Sequence, residues 1–352
     1  MRYLVSPDAE VRIEHLTDSS AAEWDGFVAG SREASLYHRY RWRTLVREVF
    51  GHDTHYLAAR TGDRITGVLP LVRLKSRLFG DFLVSMPYFN YGGIVAESDM
   101  EGARLLRASA DLALELGVSH VELRHRLRDC SDWPCRTDKV TMLLDLPADP
   151  DALWKGCGSK VRAQVNRPQR EGATCEQGGA ELLDHFYAVF AENMRDLGTP
   201  VYPRRFFGAI LAAFPDAARL FIVRLASVPV AAGFVLSDGR TLEIPWASSL
   251  RRANAIGVNM LLYWRILEYA CASGHAVFDF GRSTRDSGPY RFKKQWGAVP
   301  QQLYWHYWLR EGGDLPELNP GNAKFSAAIA IWRHLPLAVT NRLGPLIIRN
   351  LP

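Results

Sequence analysis

The sequence has few cysteines, and none of them has the spacing of a zinc ribbon or a disulfide framework. The five are Cys130, Cys135, Cys157, Cys175 and Cys271, with no CxxC pair among them. A small disulfide-stapled scaffold is therefore excluded, and a reducing compartment fits best. Two histidines and two cysteines are spaced five residues apart, at His120, His125, Cys130 and Cys135. Because this spacing does not match that of zinc ligands, we predict no metal site.

Long apolar runs and a strong excess of one charge are also absent. No stretch approaches 18 uninterrupted apolar residues, and Asp8, Glu10 and Glu14 stand where a signal peptide would have its apolar core. Lys and Arg total 43 against 38 Asp and Glu, a net charge of +5. That excess favours anionic partners but is too small to indicate nucleic-acid binding. We expect a cytoplasmic protein, with peripheral membrane contact as an open alternative.

The sequence does contain an internal repeat. Residues 104–124 and 261–281 both have the pattern of an amphipathic helix, a glycine and a short strand, at an offset of 157 residues. Upstream of each copy, residues 56–72 and 220–236 have the alternation of a β-hairpin. With 352 residues, 47% of them hydrophobic, the chain can form two cores. The sequence therefore predicts an α+β fold with mixed sheets in two tandem domains.

Proline and composition set the predicted limits of these domains. The PADPD segment at 147–151 ends a strand and caps a helix, so we place an N-terminal domain at 1–148 and a C-terminal domain at 149–312. Strands at 139–147 and 302–309 are predicted to close the sheets. Residues 313–352 form an apolar and basic tail, which either packs on the body of the protein or lies on an anionic membrane surface.

The segment 279–297 has the highest density of residues able to carry chemistry. It leaves a buried-type strand, passes through a polar loop and enters a short helix. Its cations, which could hold phosphate or carboxylate groups, are Arg282, Arg285, Arg291, Lys293 and Lys294. The alternative is a solvated basic turn. Four aromatic residues interleave with the cations, which favours a structured wall behind them.

A second basic cluster lies just after the predicted domain boundary. Lys160, Arg162 and Arg167 fall within two helical turns and follow Gly156 and Gly158. Such a helix start could meet phosphate groups. A linker helix with a solvated basic face is the alternative.

Three further segments are weaker candidates for binding. The aromatic and glycine-rich run 84–94, with Asn90 and Tyr91, suits either a ligand groove or a bulged core strand. In the loop after residue 193, Arg195 either pairs with Asp196 or faces substrate. The loop 252–257 is similar to one that holds a pyrophosphate at a helix start, except that alanine replaces its first glycine.

These motifs together resemble the Fem family of tandem acetyltransferase-fold (GNAT-like) transferases. The segments FGDFLVSMPYFNYGGI, NMRDLGTPVYPRRFF and DFGRSTRDSGPYRFKKQWG look like the FemAB-like subgroup associated with PEP-CTERM/exosortase exopolysaccharide systems. The resemblance implies two GNAT-type domains flanking a cleft. It also implies transfer of an amino acid from aminoacyl-tRNA to an amine of an envelope precursor, with Phe292 and Lys293 matching the family's phenylalanine-lysine element.

We therefore predict an acyl or aminoacyl transferase that forms an amide on a cell-envelope or exopolysaccharide precursor. Lys293 would stabilise the oxyanion, Tyr290 would protonate the leaving oxygen, and Asp279 would act as base or as a structural carboxylate. The donor is either an aminoacyl-tRNA or an acyl-CoA, because the sequence lacks the coiled-coil insertion that some Fem ligases use for tRNA. The predicted substrate-binding residues are Asn90, Tyr91, Lys160, Arg162, Arg167, Arg195 and Arg282. The alternative is a catalytically lapsed module that binds a nucleotide-sugar or polysaccharide precursor in an assembly complex.

Overall fold

The computed structural model describes residues 10–126, 133–316 and 323–352. The strands are β1 (Val11–His15), β2 (Asp53–Thr61), β3 (Arg64–Ser76), β4 (Gly80–Val84), β5 (Val95–Ala96), β6 (His120–His125), β7 (Cys135–Arg136), β8 (Lys139–Asp145), β9 (Thr174–Gly178), β10 (Ala218–Leu225), β11 (Val228–Ser237), β12 (Thr241–Ser249), β13 (Val277–Thr284), β14 (Val299–Gln302) and β15 (Tyr304–Leu309). The helices are α1 (Ala21–Gly30), α2 (Arg41–Phe50), α3 (Asp99–Leu116), α4 (Pro150–Gly156), α5 (Ser159–Arg170), α6 (Leu183–Leu197), α7 (Arg204–Ala213), α8 (Val258–Ala272), α9 (Gly288–Lys294), α10 (Ala323–Trp332) and α11 (Leu337–Ile348).

The two sheets have the same strand plan. The first runs β1-β2-β3-β4-β6-β15-β7, with β5 added beside β3, and the second runs β9-β10-β11-β12-β13-β8-β14. In each sheet one central pair is parallel, β4 with β6 and β12 with β13. The repeated helix–strand units α3–β6 and α8–β13 therefore end at the same sheet position, and the hairpins β2–β3 and β10–β11 also correspond. The predicted α+β class with mixed sheets in tandem domains is confirmed.

In each sheet, the strand next to the edge strand comes from the other half of the sequence. Strand β8 pairs with β13 in the second sheet, from Asp145 opposite Val277 to Lys139 opposite Thr284. Strand β15 pairs with β6 in the first sheet. The described residues up to 137, with 302–316 and 350–352, form one unit, and residues 138–301 with 323–349 form the second. These limits differ from those predicted at 148, 149 and 312, because the PADPD segment marks the end of a strand and not the end of a unit.

The C-terminal helices belong to the second unit and pack on it. Helix α11 contacts α6, and a Cβ at Gly344 would lie 2.7 Å from the backbone nitrogen of Val201. The Arg333 Nη2 donates a hydrogen bond to the Leu197 carbonyl oxygen at 3.2 Å. Helices α10 and α11 thus pack on the second unit. Among the described residues, no helix is both long enough and apolar enough to cross a membrane.

Candidate active site

In the second unit, two adjacent parallel strands separate soon after they pair. Residues 241–243 of β12 lie opposite 277–279 of β13, and within the described chain their pairing stops there. Strand β12 continues along β11, with Ser249 opposite Ala231, and β13 continues along β8. In open sheets, ligands bind beyond the carboxyl ends of strands where neighbouring strands part. This point of separation is therefore where a site is expected.

A β-bulge in β13 marks the separation. The register of β13 against β8 shifts between Asp279 and Arg282, and Gly281 between them has a φ of 73°. A glycine adopts this left-handed conformation without the steric cost that a Cβ would add. The Asp279 Oδ1 accepts hydrogen bonds from the Gly281 N–H at 2.8 Å and from the Thr141 hydroxyl at 2.7 Å. Buried and bonded in this way, Asp279 has the geometry of a structural carboxylate that holds the turn.

Lys293 reaches the bulge from α9. The helix begins after Ser287, whose hydroxyl accepts the Tyr290 N–H. Lys293 is 7% exposed, and its Nζ donates hydrogen bonds to the carbonyl oxygens of Gly281 and Arg282, each at 2.9 Å. A bulge leaves backbone groups without strand partners, and the ammonium satisfies two of them.

The pKa of Lys293 is lowered to about 8, chiefly because burial penalises the charged form. The carboxylates of Asp279 and Glu243 oppose this shift, whereas the Arg282 cation adds to it. An ammonium has three N–H donors, and in the described part of the chain two of those of Lys293 are hydrogen-bonded to protein. The third has no hydrogen-bond partner within the described residues.

Other buried polar groups near this region have no protein partner. The Ser283 hydroxyl and the Trp296 ring N–H are buried and form no hydrogen bond within the described chain. Such groups are costly unless a ligand or water bonds them. Sequence reasoning did not find Ser283, although it directly follows Arg282 in the predicted loop. Tyr290 is buried at 8% exposure, whereas Arg282 is exposed.

The three cations of α5 that the sequence analysis selected have different environments. The Arg162 Nη1 donates to the carbonyl oxygens of Lys155 and Cys157 at the end of α4, so Arg162 caps that helix. Lys160 and Arg167 are exposed, and they lie seven residues apart on one side of α5. Two of the three predicted residues are therefore accessible to a phosphate group.

The remaining predicted residues are held by local contacts. Arg195 donates from Nε and Nη2 to the Asp196 Oδ1 at 3.0 and 2.7 Å, which is the paired alternative. In the first unit, Tyr91 is buried, Asn90 is half-buried, and the Arg126 guanidinium lies 5.5 Å from the Tyr91 ring centre.

The glycines of the same 84–94 run lie against β6. The Gly93 N–H bonds the Arg124 carbonyl oxygen at 2.9 Å, and the Ile94 N–H bonds His125 Nε2 at 3.0 Å. Residues 85–94 are irregular and contact the end of β6 at these two points, and Tyr91, Gly92, Gly93 and Ile94 line a small pocket there. Among the described residues no group of histidine, cysteine, aspartate and glutamate has the arrangement of a metal site, and Cys130 lies outside the described residues.

Comparisons with known proteins agree with this architecture. Residues 159–294 match the family model described as an acetyltransferase (GNAT) domain. The structure of FemX is similar at a TM-score of 0.65 and 14% identity, over 84% of this chain and 96% of that one. L-PGS from Bacillus licheniformis is similar at 0.58 and 13%, over 91% and 97%. A tandem GNAT protein from the clavulanic acid biosynthesis pathway is similar at 0.54 and 14%, over 87% and 100%. No curated protein sequence matches significantly.

The matched region begins with the α5 cations and ends with Lys293 and Lys294. The structural likenesses extend the GNAT fold to a tandem arrangement over most of the chain. The chain is thus a tandem GNAT-fold protein, and its residues 159–294 match the acetyltransferase (GNAT) domain model.

Proposed function

We propose that the protein is an acyl or aminoacyl transferase that forms an amide on a cell-envelope or exopolysaccharide precursor. The observation that carries this proposal is the buried Lys293 ammonium at the point where β12 and β13 part. It lies within the region that matches the acetyltransferase family model. A fixed cation at such a point suits a reaction in which negative charge develops on oxygen.

In the proposed reaction a neutral amine of the acceptor attacks the activated carbonyl of the donor. The new C–N bond forms as the carbonyl oxygen becomes an oxyanion, which the third N–H of Lys293 stabilises. The bond to the leaving oxygen or sulfur then breaks, and the proton that the amine nitrogen loses restores the Tyr290 hydroxyl after it has protonated the leaving group. Tyr290, one turn before Lys293 on α9, protonates the leaving group. Asp279 positions the bulge, since its Oδ1 already accepts two hydrogen bonds.

The exposed cations supply the proposed contacts with phosphate. Lys160 and Arg167 would bind the phosphate groups of a donor or of a phosphorylated carrier, and Arg282 would bind a further anionic group. Aminoacyl-tRNA and acyl-CoA both carry such phosphates, so either donor fits. The resemblance to the PEP-CTERM/exosortase-associated FemAB-like subgroup supports an exopolysaccharide precursor as acceptor.

The test compares two adjacent lysines. The full chain is given labelled aminoacyl-tRNA or labelled acetyl-CoA with an extract of envelope precursors, and label in base-stable amide product is counted. Lys293→Met should lower turnover by about 100- to 1,000-fold, the usual cost of one oxyanion donor. Lys294→Met, which changes an exposed residue of the same helix, should change it little. Two fully active variants, or the reverse order, would remove Lys293 from the mechanism.

One observation favours a second candidate, a binding module without turnover. Asp279 and Lys293 are largely satisfied by protein partners, as they would be in a structural bulge. Such a module should retain a precursor, detected by native mass spectrometry after incubation with cytosol, and should transfer no label from either donor. Label transfer that depends on Lys293 would exclude it.

A further inference from the structure

Helix α11 has a buried stripe and an opposite, exposed apolar stripe. Thr340, Gly344 and Ile348 recur at every fourth residue and are buried against the second unit. On the opposite side, Leu343 is 42% exposed and Leu346 is 61% exposed. A surface helix normally carries polar residues on its solvent side. The outward side of α11 departs from that pattern.

The end of α10 also carries an exposed apolar residue. Ile331 is 64% exposed, and Val339 at the start of α11 is 37% exposed. We call Ile331, Val339, Leu343 and Leu346 the outward apolar set. Single exposed apolar residues are ordinary on protein surfaces, but a set on two consecutive helices marks an interaction surface.

The charge of the same segment indicates what covers this set. Residues 323–352 contain one lysine and three arginines and no aspartate or glutamate. Arg342, next to Leu343, is exposed and forms no ion pair within the described chain. This segment of the chain therefore combines exposed apolar side chains with charge of one sign. Two copies placed face to face would oppose like charges, which disfavours self-association.

We propose that the outward apolar set docks on an anionic lipid surface. An amphipathic segment binds such a surface by placing apolar side chains at the headgroup–acyl boundary while its cations meet the negative headgroups. Helix α11 would lie along the membrane plane with its buried stripe still held by the second unit. Docking would bring the second unit to the membrane surface. The inference rests on the tail itself and stands whether or not the proposed transferase activity is correct.

The experiment uses the full-length protein and sedimentation with lipid vesicles. Vesicles of phosphatidylcholine alone are compared with vesicles containing about one third phosphatidylglycerol, at low and high salt. The protein should bind only the anionic vesicles, and less at high salt. Leu343→Glu with Leu346→Glu should weaken binding by about tenfold or more. Arg342→Gln should weaken it by about fivefold at low salt.

The matched control is Leu78→Glu, which changes an apolar residue that is 81% exposed in the first unit. It should bind anionic vesicles as the wild type does. Circular dichroism and thermal melting should be unchanged, since every altered residue is exposed. Equal binding to both kinds of vesicle, or none to either, would overturn the proposal. If light scattering shows a dimer, and the variant with both Leu343→Glu and Leu346→Glu is the one variant that is monomeric, the surface binds a second copy of this chain instead.

Discussion

Replacing Lys293 with methionine should change how the free energy of unfolding depends on pH. The pKa of Lys293 falls from 10.5 to about 8 on folding, mainly because the side chain is buried. The unfolded chain therefore keeps this proton up to about pH 10.5, whereas the folded chain releases it near pH 8. Between these values the unfolded state binds more protons, so the wild type becomes more stable as the pH rises.

The size of this effect follows from the two pKa values. The full difference corresponds to about 3 kcal/mol, and the rise between pH 7 and pH 9 is about 1.4 kcal/mol. Lys293→Met lacks the titrating group and should lack this rise. At pH 7 the variant also leaves the carbonyl oxygens of Gly281 and Arg282 without their donor. Unsatisfied buried acceptors cost about 1–3 kcal/mol each, and this loss opposes the gain of about 3 kcal/mol from removing a buried charge at pH 7.

The assay is urea unfolding at intervals from pH 7 to pH 9.5, with the wild type, Lys293→Met and Lys294→Met compared at each pH. The difference between wild type and Lys293→Met should widen with pH, because titrations common to both proteins cancel. Lys294→Met should give a curve parallel to that of the wild type, since Lys294 is exposed. Parallel curves for wild type and Lys293→Met would refute the assignment of a buried cation with a lowered pKa.

Three further outcomes test other parts of the structure. If the Lys293 cation stabilises the oxyanion, wild-type turnover should fall above about pH 8 as its pKa is passed, whereas Lys293→Arg should show no such fall in a pH–rate profile. Replacing Lys160 and Arg167 together with glutamine should weaken binding of a phosphorylated carrier at low salt more than at high salt, measured by titration calorimetry; equal affinity at low salt would leave them as a solvated face. Gly93→Ala should lower stability by about 1–3 kcal/mol in thermal unfolding, because its Cβ would lie 2.4 Å from a ring carbon of His125, while Gly26→Ala, with open space around it, should not.

The duplication could be predicted from sequence because its signals are local. A helix, a glycine and a strand recur at a fixed offset, and both copies end at the same position of equivalent sheets. The sequence did not allow the prediction that β8 joins the second sheet and β15 joins the first. The residues of β8 and β15 favour a strand, but they do not specify which of two similar sheets each strand joins. That choice depends on pairing partners far away in sequence, such as β13 for β8.

The candidate site was predicted in part. Sequence placed the short helix correctly and named the cations of that segment, but it ended the strand too early, because β13 continues to Thr284. Helical spacing could not choose between Lys293 and Lys294, because consecutive residues point to different sides without indicating which side is inward. Arg162 was grouped with Lys160, although its guanidinium caps α4. A capping role depends on where the preceding helix ends in space, which charge spacing does not show.

The burial of Lys293 is explained by the strand it contacts and not by its own helix. A lysine leaves water only where acceptors replace its hydration, and here two consecutive carbonyls turn toward it. They do so because Gly281 adopts a positive φ and Asp279 holds its N–H. The DFGR run and the lysine 14 residues after Asp279 therefore act as one unit, in which the carboxylate shapes the bulge and the bulge binds the cation. Any chemistry at Lys293 consequently depends on Asp279, even if that carboxylate never contacts substrate.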